Sequence, residues 1–501
     1  MRGVSTLPEL DVRLDGRPID DEAAAGLVSV VVRQRLAAPS QCEIEYEDMI
    51  ARFVPTGTRL RVDVPPSDTP LFEGEVTAVE IEHPGDGTVR TRVRGYDPLH
   101  RLRKRQPVRS HAARTPADLA RELAEPLGLS VAAAEAGVAS ALIVQYDRTD
   151  FDLLVDHAGR SGLYPVLRDG TLHLLTLEGT GSPIELVLGA SLLRGHVEAN
   201  SEPSCRTVSA SGWDTCRVEW FAGRATVPRS GRDVPVDASP DRVGGADERI
   251  LVDRIARDRG QAEAIAQAEL DRRAAAEVVL SGVADGDPRL RPGTRVDARG
   301  LAEPFSGRYV LTEVTHSVDA ESGFLSRFST SPPHPRAAGR AAALAWGTVT
   351  RVDDPEGLGR VRATLPTYGD VETDWMTVLS LAAGAGKGWV ALPDVGDRVL
   401  VAFVSGDPAQ GIVLGGLFGS QSLPDSGVEE GAVRRFTFAT PGGHRLQFDD
   451  ARVSIRVQDT TGSFLEMTPG IVRLHAATPL EIEAPGLPIT IRADTVDFQR
   501  G

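Results

Sequence analysis

Phosphate chemistry is the first chemistry that residue type and spacing bring to mind, because Gly384-Ala385-Gly386-Lys387-Gly388 sets a lysine in a glycine-rich run. A phosphate loop also needs an earlier glycine and a Ser or Thr directly after the lysine. Leu381 and Gly388 occupy those places, so the run reads as a turn. His316, Ser317 and Asp319 bring together the residue types of a hydrolytic triad. Side chains so close along one strand point to alternate faces and do not converge. The paired carboxylates Glu429-Glu430 and Asp449-Asp450 fall in expected connections, where no apolar pocket would raise a pKa. There is no Gly-x-Ser-x-Gly elbow, HExxH helix or calcium loop. Cys42, Cys205 and Cys216 lack zinc spacing and read as buried thiols. Catalytic, metal-binding and cofactor residues are therefore not assigned, and the expectation is a protein that is not an enzyme.

Charge narrows the partners. The formal net charge is −16, which repels polyanions and excludes nucleic acid as the expected partner. The densest basic stretch, Arg101, Arg103, Lys104, Arg105 and Arg109, reads as a solvated or subunit-docking patch. The first ten residues lack the pattern of a secretion signal, and no stretch approaches a spanning length of apolar residues. Synthesis and assembly in the cytoplasm are expected.

The elements that would position these residues are mostly strands. Aromatic residues make up 5% of the 501, while Gly (51) and Pro (34) are plentiful, a balance that favours short strands and turns. At roughly 150 residues per domain, about three domains are expected. Period-two alternation marks 11–14, 28–32 and 42–46, with Asp15-Gly16 as a turn. Three inserted helices are expected: one capped by Thr115 with Asp118 bonding back, one from Asp150, and one over 261–277. A hairpin should turn at Asp169-Gly170.

An internal repeat organises this region. Gly57-Thr58-Arg59-Leu60, then Phe72-Glu73-Gly74, then Val79, recurs as Gly293-Thr294-Arg295-Val296, Phe305-Ser306-Gly307 and Val314. Each copy ends in an alternating strand, 91–94 and 324–328. Two related small β-barrels separated by helical insertions follow from that order. Ser331-Pro332-Pro333-His334-Pro335 then reads as a stiff linker. Beyond it, 359–365 alternates cleanly, whereas Val399-Leu400-Val401-Ala402-Phe403-Val404 is apolar on both faces. Such a strand must be covered twice, by its own core and by something else.

The tail carries apolar residues on one face of successive short strands: Val453, Ile455, Val457; Leu465, Met467; Val472, Leu474; Leu480, Ile482; Ile489, Ile491; Val496, Phe498. One-sided burial of this kind does not offset the entropy of ordering the strands. Partner strands must supply the rest. The connections lack Asn-Gly or Asp-Gly hairpin signals, which favours an intertwined β-helix over an antiparallel meander.

Trp346-Gly347-Thr348-Val349, Asp354 to Val361 with Gly359, Asp374-Trp375 and Gly388-Trp389-Val390 occur in order. Pro393-Asp394-Val395-Gly396-Asp397-Arg398-Val399-Leu400-Val401-Ala402-Phe403 and Gly406-Asp407-Pro408 follow them. The series resembles the OB-type barrel of VgrG-type spikes and of contractile phage tail hub-and-spike proteins. Phe72-Glu73-Gly74, Arg94-Gly95-Tyr96-Asp97 and 309–316 resemble the hub more diffusely.

The resemblance implies a mainly β fold with inserted helices: duplicated small barrels, an OB-fold barrel and a C-terminal trimeric β-helix. The expected domains are a hub at 1–330, a linker at 331–345, the OB barrel at 346–419, a connection at 420–435 and a needle at 436–501. It further implies a homotrimer at the centre of a baseplate, joining inner tube to membrane-puncturing needle, with baseplate proteins and effector cargo as further partners. The blunt end at Val496, Phe498, Gln499 and Arg500 points to a separate PAAR-type tip. The other readings are a particle-delivered hydrolase and a glycan-binding tail module.

Overall fold

The computed structural model describes residues 9–47, 54–85, 87–214, 219–238, 240–244, 247–252, 256–334 and 342–499. Cys216, Arg500 and part of the expected linker lie outside them. The chain divides into two compact units, Met1–Leu417 and Phe418–Gly501.

Among the described residues, the first unit is organised on an eleven-stranded sheet. Seven of its strands form one half-repeat, the N-terminal Leu27–Arg35, Gln41–Glu47, Arg90–Tyr96, Phe72–Glu82, Arg59–Asp63 and two edge partners. The four of the other half-repeat are Leu192–Ala199, Val278–Asp285, Gly323–Ser329 and Glu313–Asp319. The halves join where Val318 pairs with Val30 and Val314 with Gln34. Each half keeps its own core: Val30, Ile44, Leu60, Val62, Phe72 and Val93 in the first, Leu280, Val296, Tyr309, Val314 and Phe328 in the second.

The repeat is visible in hydrogen bonds. Gly57 N–H donates to Val76 O at 2.7 Å and Val76 N–H to Thr58 O at 2.8 Å. Gly293 N–H donates to Leu311 O at 2.5 Å and Leu311 N–H to Thr294 O at 2.9 Å. Both glycines need positive φ, 92° and 87°, which a side chain would strain. These bonds match Val76 with Leu311, so Leu60, opposite Gly74, matches Val296, opposite Tyr309. The alignment of Gly74 with Gly307 is therefore two residues out. A slip of two keeps every side chain on its face, and the alternating pattern alone does not detect it.

The helices fill the space between. Pro116–Ala124 is capped as expected: Thr115 Oγ1 accepts from Asp118 N–H at 3.1 Å and Asp118 accepts from Thr115 N–H at 3.3 Å. Asp150–Arg160 starts at Thr149, whose Oγ1 accepts from Asp152 N–H. Leu119, Leu123, Phe151 and Leu154 pack with Leu172 and Leu174 of the hairpin that turns at Asp169-Gly170. The third helix runs Arg259–Ala276 behind Asp258 as cap. Among the described residues, no helix is long and apolar enough to cross a membrane.

A six-stranded sheet follows, in the order Val371–Glu372, Arg362–Leu365, Ala343–Arg351, Arg398–Phe403, Gly411–Gly416, Thr377–Val378. Its inner face carries Ala345, Val349, Val361, Ala363, Leu365, Met376, Val399, Val401, Phe403 and Val413.

In the second unit, five consecutive strands pair antiparallel: Arg435–Ala439, Arg445–Asp449, Ser454–Gln458, Phe464–Met467 and Val472–His475. Within one chain the tail is thus a meander to His475, and among the described residues no strand follows it. The hairpin signals thought to be missing are four- and five-residue loops instead of two-residue turns. Thr440 and His444 close the first, and Asp459 accepts from the N–H groups of Thr461 and Ser463, both at 2.9 Å, in the third. Val453 belongs to the second loop. Its φ is 51°, and the strand begins only at Ser454.

Candidate functional site

The residues that invited chemical readings are engaged structurally. His316 is buried, with Nδ1 2.8 Å from Ser326 Oγ and Nε2 3.1 Å from Leu290 O. Burial pushes its pKa down to about 4, so the ring is neutral at pH 7. Ser317 faces the other side of the strand, and Asp319 caps the next turn by accepting from Glu321 and Ser322 N–H groups. Gly384 and Lys387 exchange backbone hydrogen bonds at 3.0 and 3.1 Å, the geometry of a turn.

Arg101, Arg103 and Lys104 of the basic stretch are exposed, as a solvated patch would be, but Arg105 and Arg109 turn inward. Arg105 Nε and Arg109 reach the fully buried Asp150 at 2.9 and 3.0 Å, Arg103 lies 5.1 Å above the Phe151 ring, and Arg101 pairs with Glu75. A buried carboxylate needs partners of this kind, and Arg105 and Arg109 supply them. Asp449 is also buried rather than solvated, accepting from Arg452 N–H at 2.9 Å and pairing with its guanidinium at 2.7 Å.

The barrel residues sort into three roles. Val361, Val399, Val401 and Phe403 are core. Gly359, Pro393, Gly396, Asp397, Gly406, Asp407 and Pro408 build connections. Gly396 has φ of 91°, Asp397 Oδ2 accepts from Asp394 N–H at 2.8 Å, and Asp407 Oδ1 accepts from Ala409 N–H at 3.0 Å. Asp354 and Arg360 hold the loop before Gly359 with side-chain bonds of 2.6 and 3.0 Å, and Arg360 keeps the Asp354 carboxyl well below its ordinary pKa. The guanidiniums of Arg351 and Arg362 lie over the Trp375 ring at 5.4 and 5.0 Å.

Trp346 belongs to the third group, on the outer face. It is 59% exposed and Leu344 64%, on a strand that pairs with Arg398–Phe403. Leu400 lies opposite Trp346, Ala402 opposite Leu344, and Ile412 opposite Ala402. The two-sided strand read from the sequence therefore presents one face to the core and one to the outside. The long loop before it adds exposed Leu379, Leu381, Trp389, Val390 and Val395.

The tail shows the same exposure in a more ordered form. Cross-strand register aligns Phe436, Phe448, Ile455, Met467 and Val472 in one row, and Phe438, Leu446, Val457, Leu465 and Leu474 in a second. Both rows lie on one face, and no part of their own unit covers it: Phe436 is 60% exposed and Val472 67%. The opposite face is polar and tied together. Asp425 accepts from Arg435 Nε, Thr437 Oγ1 and Gln447 Nε2 at 2.9 to 3.0 Å, and Arg456 pairs with Glu466 at 3.1 Å. Phe436, Phe438, Leu446 and Phe448 complete the rows but were not among the expected needle residues. Their period-two alternation was the available signal. Leu480, Ile482, Ile489, Ile491, Val496, Phe498 and Gln499 are exposed and outside strands. Among the described residues, no cluster of three or more His, Cys, Asp or Glu side chains is placed to hold a metal ion.

A duplicated sheet region, an OB barrel and a one-faced β tail follow one another in an order that resembles VgrG-type spike proteins. The barrel at 345–418 matches the type VI secretion system/phage-baseplate injector OB domain. The chain belongs to the Alg8 N-terminal domain family, whose model matches residues 52–320, more than half of its length. It is 26% identical over 243 residues to the type VI secretion system spike protein VgrG4b of Pseudomonas aeruginosa, covering 41% of this chain and 29% of that one. It is 27% identical over 195 residues to the actin cross-linking toxin VgrG1 of Vibrio cholerae, covering 33% and 18%. The chain thus spans less than a third of the length of the curated relatives it matches. The fold is shared with the Francisella PdpA–VgrG complex at a TM-score of 0.55 and 7% identity, over 95% of this chain and 81% of that one.

Proposed function

We propose that three copies of this chain assemble into the hub and spike at the centre of a contractile baseplate, with a mechanical role and no catalytic one. The observation that carries this is the pair of apolar rows on the tail. Ten side chains in strict cross-strand register are not left in water, because exposed apolar patches of that size mark an interface. Three tails turning these faces inward about a common axis bury all of them, and a closed threefold arrangement needs no other component. The residues after His475, with apolar pairs but no strand partner in their own chain, would take their hydrogen bonds from neighbouring copies.

The domain plan fits this role, with a hub at 1–330, a linker at 331–345, an OB barrel at 346–419, a connection at 420–435 and a needle at 436–501. Duplicated hub halves give three copies six similar units, suited to docking on a sixfold inner tube. The segment that carries Val496, Phe498, Gln499 and Arg500 would receive a PAAR-type tip, with other baseplate proteins and effector cargo as further partners. Assembly would take place in the cytoplasm and action at a target envelope.

The test is electrophoresis of the unheated full chain in dodecyl sulfate. A trimer band that disappears on truncation after Ser420 is expected. A monomer band for the intact chain, or a trimer unaffected by truncation, would overturn the reading.

A further inference from the structure

Where the hub meets the OB barrel within the first unit, Tyr146 donates its hydroxyl proton to Gly406 O at 2.9 Å and packs edge-on against Tyr368 at 4.8 Å. Val144, Val371 and Ala409 close an apolar seam beside it. Next to the seam is a crevice of about 60 Å³. A water needs some 10–15 Å³ of such space, so the crevice holds a few waters or one small ligand.

Its lining is rich in donors. Arg148, Arg160 and Arg257 come from the hub and Gln410 from the barrel. Gln410 is only 6% exposed, and among the described residues its Nε2 group has no hydrogen-bond partner. A buried amide N–H₂ without an acceptor is costly, so the site calls for one. The arginines have donors to spare. Arg148 and Arg160 both lean on a single oxygen of Asp156, at 3.1 and 2.7 Å. Arg257 reaches Asp374 only at 3.4 Å, and Arg362 lies on the same carboxylate at 3.6 Å. Asp407, the carboxylate that lines the crevice, already accepts from Ala409 N–H. His157, also in the lining, has its pKa pushed down to about 3, by burial first and then by Arg160. It adds no charge of its own at pH 7.

We propose that this crevice binds one small oxyanion, a carboxylate or a phosphate, held between the hub arginines and the barrel's Gln410. Bound there, it would bridge two domains that otherwise meet through Tyr146 and a small apolar seam. The oxyanion could be free in solution or could be an acidic side chain of a second copy. The chemistry of recognition is the same: planar guanidinium donors and an amide N–H₂ facing two or more oxygens.

The test is calorimetric titration of the full chain with inorganic phosphate, and separately with acetate, at fixed ionic strength in a buffer free of oxyanions. A free ligand predicts saturable binding at one site per chain, weakened about tenfold by Arg257→Gln through loss of a charge-assisted bond. Gln410→Leu, which keeps volume but removes the donor, should weaken it as well. A second copy's carboxylate predicts no phosphate binding to the assembled protein, with Arg257→Gln and Gln410→Leu each lowering its thermal midpoint in phosphate-free buffer. Binding that both variants leave unchanged would overturn the proposal. So would an assembled protein that neither binds phosphate nor loses thermal stability in either variant. Circular dichroism of each variant separates a lost site from a lost fold, and phosphate binding by the single chain does not depend on the needle.

Discussion

The OB barrel and the tail are made of the same material, short strands with one apolar face, yet only the barrel buries that face within its own chain. In the barrel, Ala343–Arg351 pairs with Arg362–Leu365 on one side and Arg398–Phe403 on the other, so a late strand returns beside an early one. A register shift after Val349 bends that strand, and the sheet's inner residues share a core. In the tail every strand pairs only with its neighbours in sequence. No strand returns, and the apolar rows stay open. Alternation shows that a face is apolar, while connectivity decides whether the chain itself can bury it. The barrel's outer face, with Leu344, Trp346 and Leu400, stands between the two cases.

The sharpest way to break this contrast is a charge in the middle of a tail row. Val457→Asp would put a carboxylate at each of three equivalent positions in the shared interior and should abolish the trimer, read by light scattering, while the circular dichroism of the hub persists. An intact trimer would mean that the rows face elsewhere. Phe403→Ala, in the barrel core, should cost ~3–5 kcal/mol of barrel stability in denaturant. Its effect should appear whether or not the tail is present. Smaller, and dependent on pH, is the Asp354–Arg360 pair. Asp354 titrates lower in the folded protein than unfolded, so its contribution is complete above about pH 4 and is lost as pH falls through the folded value. Asp354→Asn should flatten the acid limb of the melting profile, and an unchanged limb would remove the pair from the account. Smallest is Arg259→Ala, which removes an exposed helical pair with Glu263 at 2.9 Å and should shift stability by under about 0.5 kcal/mol.

Much of this contrast could be read from the residues. The capping box at Thr115, the Asp15-Gly16 and Asp169-Gly170 turns and the two-sided strand Val399 to Val404 are local signals, and each marks a local structure. What escaped was longer in range or degenerate. The two-residue slip between the repeat halves leaves every face unchanged, so only hydrogen bonds from Gly57 and Gly293 reveal it. Arg105 and Arg109 were indistinguishable from their exposed neighbours Arg101, Arg103 and Lys104, because their buried partner Asp150 lies some forty residues further along the chain. The tail's hairpins use longer loops closed by Thr and Asp side chains, and Val453, in phase with Ile455, sits in one of them. Phe436 and Phe438 alternate as clearly as the later pairs, but their place in the rows follows only from the register with Phe448 and Leu446.

The most direct test of the central claim is the mass of the intact chain in dilute solution by sedimentation equilibrium. Three times the chain mass, with no dissociation on dilution, is the result predicted for a tail whose apolar rows are shared among three copies. A stable monomer would contradict it, because ten registered apolar side chains would then have to remain in water.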